Sequence, residues 1–90
     1  MTSSMPKSGD KIVDVRFEED RLVVDFLDGH TLAVPVAWYP ALLHAHPQER
    51  ANWELSAAGF GIHWPDLDED LSAPGLLAGL PSVHKRSIAA

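Results

Sequence analysis

The residues with the most chemical potential lie in one stretch, "GIHWPDLDEDLS", residues 61–72. His63, Asp66, Asp68, Glu69 and Asp70 crowd together there, beside Trp64 and Pro65. Calcium binding is the first chemistry to test, because Asp66, Asp68 and Asp70 match the first, third and fifth positions of an EF-hand loop. That loop needs glycine in sixth place and glutamate in twelfth, and here those places hold Leu71 and Leu77. Zinc needs three or four converging ligands. His44 and His46 form an H-x-H pair with no third ligand at a characteristic spacing, and the chain has no cysteine. Acid–base catalysis would use His63 with Asp66, or two of the carboxylates. It requires groups that converge on one substrate atom, which closeness in sequence does not provide. The glycines of "GFG" lack the lysine of a phosphate loop, and no serine nucleophile elbow is present. No catalytic residue, metal site or cofactor is therefore expected.

The remaining chemistry is recognition by charge. In an extended chain Leu67, Glu69 and Leu71 share one side, and Asp66, Asp68 and Asp70 the other. The leucines then anchor the segment and the aspartates face water, with Asp70 also favouring the start of a following helix. A partner-binding surface would consist of Asp66, Asp68, Glu69 and Asp70, fixed from below by Trp64 and Leu67. Trp38, Trp53 and Trp64 read as core in a chain this small. Tyr39 and Phe60, the latter between two glycines, read as exposed contact residues.

The overall charge agrees with such a surface. The formal net charge of the 90 residues is −6. The span from Asp14 to Asp70 holds twelve acids against three arginines, while Lys7, Lys11, Lys85 and Arg86 lie at the ends. A body this acidic repels phosphate backbones and attracts a basic protein, so direct nucleic-acid binding is not expected. No apolar run reaches the ~18–20 residues of a membrane span, and "MTSSMPKSGD" has no apolar segment of a secretory signal. A cytoplasmic location is expected.

The elements that must position these residues can be read from periodicity. "KIVDVRF" (11–17) alternates, with Val13, Val15 and Phe17 on the inner face and Ile12, Asp14 and Arg16 on the outer. "RLVVDF" (21–26) follows with Leu22, Val24 and Phe26 inward. "HTLAVPV" (30–36) has Leu32, Val34 and Val36 inward, and Pro35 suits an edge or a strand end. Register decides the turn between the last two. A two-residue Asp28-Gly29 loop would set the apolar residues of one strand against Thr31 and Ala33. A three-residue loop, Leu27-Asp28-Gly29, pairs Val24 with Leu32 and Leu22 with Val34, and needs Gly29 in the left-handed conformation.

Residues 37–45 change to helical spacing, with Pro40 in the first turn. Residues 46–53 open a second short helix at Pro47, with Glu49 at its positive end. Residues 54–64 read as a loop or bulge feeding a fourth strand. Ser72 caps a helix over 72–80, with Leu76, Leu77 and Leu80 as its apolar stripe. The expected fold is α+β: a three- or four-stranded antiparallel sheet with short helices packed on one face. Residues 10–80 form one domain, between disordered tails at 1–9 and 81–90.

Four pieces, "WYPALL", "PQERANW", "GIHWPDLDEDLS" and the "GLL" helix, together resemble the bacterial DUF2442 family, a domain of unknown function. The resemblance covers roughly residues 11–80. It implies a small α+β fold with an antiparallel sheet, and no particular activity. Family genes often stand beside a gene for another small protein, as in a toxin–antitoxin pair. The resemblance thus implies an antitoxin-like interaction protein with a small basic partner encoded by the adjacent gene. Some longer relatives carry a helix-turn-helix domain, which leaves a regulatory or adaptor role as an alternative. A small enzyme built on His63 and the nearby carboxylates is another. Members tend to have Ser or Thr where this chain has His46, so the cap of the second helix departs from the pattern.

Overall fold

In the computed structural model, which describes residues 8–79, the alternating segments become β1 (Ile12–Glu18), β2 (Arg21–Phe26) and β3 (Thr31–Pro35). They form an antiparallel sheet in the order β1-β2-β3. The predicted turn is present. Leu22 pairs with Val34 and Val24 with Leu32, and Gly29 has φ +97°. The Phe26 N–H donates to His30 O (3.0 Å), and the Gly29 N–H donates to Phe26 O (2.9 Å). Counting on from the Phe26–His30 pair, alternate residues of β3 bond to β2. Thr31, Ala33 and Pro35 therefore point their backbone groups to the free edge, where proline removes no ladder donor. The Val36 N–H keeps the alternation, donating to Asp20 O (2.8 Å).

The start of β1 departs from the expected faces. Ile12 pairs with Phe26 and Asp14 with Asp25, which leaves Val13 as an extra residue in a bulge. One extra residue reverses the parity upstream of it. Ile12, expected outside, is 2% exposed, and Val13, expected inside, is 49% exposed. Val15 remains buried and Phe17 packs against the core, as the alternation requires.

The helical stretch also divides. Val36–Trp38 form a 3-10 turn, and α1 covers only Pro40–Leu43. The break falls at Tyr39, with φ −127° and ψ 88°. Proline disfavours the helical region for the residue before it, so Pro40 starts one helix by ending the other. In α2 (Pro47–Ala51) Pro47 holds the first position. The His46 backbone N–H donates to the Glu49 carboxylate (2.8 Å), half of a capping box supplied without Ser or Thr. In α3 (Ala73–Leu77) the cap is as expected, with the Gly75 N–H donating to Ser72 Oγ (3.0 Å).

Residues 54–72 make a second antiparallel sheet, β4 (Glu54–Ser56), β5 (Gly61–Trp64) and β6 (Glu69–Ser72), in that order. The α+β class holds, with two three-stranded sheets in place of a single sheet of three or four. Both contribute to one core: Val15, Leu22, Val24 and Phe26 from the first, Ile62, Trp64 and Leu71 from the second, and Leu42 and Leu76 from the helices. The Phe17 and Trp64 rings meet edge to face at 6.3 Å. Trp38 and Trp53 pack against this core while only partly buried. Most of the two expected tails lies outside the described residues, as does Leu80. Ser8–Asp10 form a 3-10 turn, and Gly9 O accepts from the Asp28 N–H (3.3 Å).

Candidate partner-binding site

Sheet pairing builds the acidic site. β5 ends at Trp64, the chain reverses through residues 65–68, and β6 returns with Glu69 opposite Trp64 and Asp70 opposite His63. The Leu67 N–H donates to Trp64 O (3.1 Å), and Asp68 takes a left-handed φ of +52°. Aspartate tolerates that conformation better than most residues. The inner side of this hairpin is pinned. Trp64 is fully buried, its Nε1–H donates to Arg50 O (3.0 Å), and Leu67 packs against the core. Asp66, Asp68 and Asp70 all face solvent, as the alternation predicts.

Glu69 is on the other side, 7% exposed. Its place beside the leucines is as expected, and it does not belong to the displayed set. Tyr39 overturns its expectation outright. It is 1% exposed, drawn into the core at the break before Pro40. Phe60 is half-buried, with the Lys11 ammonium 5.7 Å from its ring centroid. It precedes β5, whereas the acidic turn follows β5, so strand geometry puts the two at opposite ends. The expected surface is thus reduced to Asp66, Asp68 and Asp70.

His63 and Asp66 do not form a pair. Asp66 Oδ2 accepts from Asn52 Nδ2 (3.0 Å), tying the turn to the end of α2. His63 Nδ1 meets Asp70 Oδ1 at 2.8 Å instead. A neutral imidazole in that contact carries its proton on Nδ1 and leaves Nε2 as the acceptor. Glu54 lies opposite His63 on the other neighbouring strand, so a carboxylate–imidazole–carboxylate row crosses the outer face of this sheet. Among the described residues no group of three or more His, Asp or Glu is placed to hold a metal ion.

Sequence reasoning missed Arg50. Its Nε donates to Leu42 O (2.9 Å) and its Nη2 to Leu43 O (3.0 Å), closing the end of α1, and its guanidinium lies 5.1 Å from the Phe17 ring centroid. Only its position after a short helix hinted at this, because cations favour helix C-termini.

The model of the family described as "protein of unknown function (DUF2442)" matches residues 12–82, which include both sheets and the acidic hairpin. The chain belongs to the DUF2442 family. It is similar to a protein of unknown function from Rhodospirillum rubrum ATCC 11170, known from a crystal structure. Identity is 32% over 83% of this chain and 93% of that one, with a TM-score of 0.71. It is also similar, at 23% identity, to an uncharacterized protein from Chromobacterium violaceum solved by NMR in solution. That match covers 88% of this chain and 74% of the other, with a TM-score of 0.71, and concerns the fold. No curated protein matches the chain. Among the described residues of this DUF2442 chain, no helix is long and apolar enough to cross a membrane.

Proposed function

We propose that this DUF2442 chain is a non-catalytic, cytoplasmic interaction protein, the antitoxin-like member of a gene pair, and that it binds a small basic protein through its β5–β6 hairpin. One observation carries the reading. Three aspartates point to water from a hairpin whose other side is fixed in the core by Trp64 and Leu71. A rigid mount presents charge without an ordering cost at binding. An acidic surface of this kind steers a basic protein into encounter and can cover the face such a protein would offer to nucleic acid.

Co-expression with the product of the adjacent gene tests the proposal. A stable complex that weakens with added salt, together with rescue from that product's toxicity, is the expected result. Failure to form a complex, or a complex indifferent to salt, would remove the basis for the hairpin as the binding surface.

A further inference from the structure

β6 is the last strand of its sheet, so one of its long edges has no strand beside it among the described residues. The Ala73 N–H donates to Phe60 O (2.8 Å), which fixes the phase of the ladder. Counting back from that pair, Leu71 bonds to Ile62 and Glu69 to Trp64, while Asp70 and Ser72 turn their backbone groups away from β5. Ser72 is the N-cap of α3, so its C=O belongs to the first turn of that helix. The Asp70 N–H, the Asp70 C=O and the Ser72 N–H are left on the open edge, and both residues are exposed.

Unpaired backbone groups on an edge are a template for another strand, and proteins blunt them. The other edges of the two sheets carry a structural block. Pro35 lies on the open edge of β3, Val13 makes a bulge in β1, and β4 is three residues long, with one, Leu55, turning its backbone outward. β6 has no proline and no bulge across its four residues. It carries charge instead. The Asp70 carboxylate meets His63 and leaves the side chain 68% exposed, and Asp66 and Asp68 are exposed in the turn that leads into the strand. A second copy pairing on this edge would bring two sets of three aspartates together, and like charges on neighbouring strands repel. A strand of lysines or arginines meets no such barrier.

We propose that the open edge of β6 receives an extended basic segment as an added strand, with a lysine or arginine opposite Asp70 and basic residues at alternate positions. The residue opposite Asp70 exchanges two main-chain hydrogen bonds with it, and the Ser72 N–H donates a third. Pairing puts that residue's side chain on the same face as the Asp70 carboxylate, where opposite charges attract. Main-chain bonds supply affinity in this mode of recognition, and the alternating side chains supply selectivity. The inference rests on the hairpin as the binding surface and names how a basic partner lies on it.

Amide hydrogen exchange, followed by NMR, tests it with an eight-residue peptide alternating lysine and threonine, and with a counterpart that has glutamate for lysine. The lysine peptide should slow exchange at Asp70 and Ser72, and the glutamate peptide should not. Binding of the lysine peptide with unchanged exchange at both amides would overturn the added strand and leave the hairpin as a charged surface. No binding would also overturn the inference, while co-expression still decides the proposed function. Asp70→Asn and Asp70→Pro give a second reading. Both remove the charge, and proline alone removes the outward N–H, with no ladder bond to β5 lost. The proline variant should bind the lysine peptide about tenfold more weakly than the asparagine variant, the effect of losing one hydrogen bond at the edge. Equal binding by the two would overturn the inference. The exchange pattern of the parent chain decides even where Asp70→Pro does not fold.

Discussion

At the scale of single residues, backbone conformation and local hydrogen bonds decide more than composition. Nothing would lie within 4 Å of a Cβ added at Gly29, so side chains are disfavoured there by φ +97° alone. Gly29→Val should cost about 1–2 kcal/mol, read as a lower urea midpoint. An unchanged midpoint would mean that the loop tolerates another conformation. Asp25 offers a test in pH. The Thr31 Oγ–H donates to its carboxylate (2.7 Å), Arg16 pairs with it, and in that order they hold its pKa below the usual carboxylate range. A folded pKa below the unfolded one gives stability that is present above the unfolded value, about 4, and lost as pH falls through the folded value. Thr31→Val should therefore lower the urea midpoint at pH 7, and the gap from the parent should narrow in strong acid. A gap independent of pH would show that Thr31 acts through packing.

At the scale of elements, the readable features were those where two constraints had to agree. The β2–β3 turn was legible because loop length and apolar parity together allow one register. The exposure of the three aspartates was legible because alternation places Leu67, Glu69 and Leu71 opposite them. The β1 bulge was not, since an extra residue leaves no mark in composition. β4 has three residues, too few to show alternation, so periodicity alone shows a single strand with a loop or bulge before it where the second sheet stands. The burial of Tyr39 was not legible because its residue type fits surface and core alike, and the break before Pro40 that draws it inward leaves no apolar period around it. The β4–β5 connection shows another hidden feature. Ala57, Ala58 and Gly59 have φ of 51°, 58° and 95°, three left-handed residues in succession, closed by the Phe60 N–H donating to Ala57 O (3.1 Å). Left-handed alanine costs about 1–2 kcal/mol, and added glycine loses about 0.5–1 kcal/mol through chain entropy. Ala58 is exposed, so little packing is at stake. Ala58→Gly should raise stability by up to about 1 kcal/mol in thermal melts. A loss would show that the alanine methyl contributes more than the strain removes.

At the scale of the molecule, the acids fall into two environments. On the first sheet Arg16 is surrounded by Asp14, Glu18 and Asp25, so much of that negative charge is neutralised locally. On the hairpin, Asp66 accepts from a neutral amide and Asp70 from an imidazole, while Asp68 stands at the turn. A basic partner would therefore be drawn to the hairpin more than to the sheet. Replacing Asp66, Asp68 and Asp70 together by asparagine separates binding from folding. Exposed charges contribute about 0–1 kcal/mol apiece to stability, and asparagine can keep the contacts to Asn52 and His63. The triple variant should melt close to the parent. With the basic partner it should associate more slowly and lose less affinity as salt rises, because steering acts on encounter and is screened by ions. Glu69 stays unchanged in this variant, since its carboxylate faces the core beneath the three aspartates. A variant that unfolds would make the aspartates structural. One that folds and binds at the parental rate in low salt would place the interface elsewhere, and the half-buried ring of Phe60, at the far end of β5, would be the next position to change.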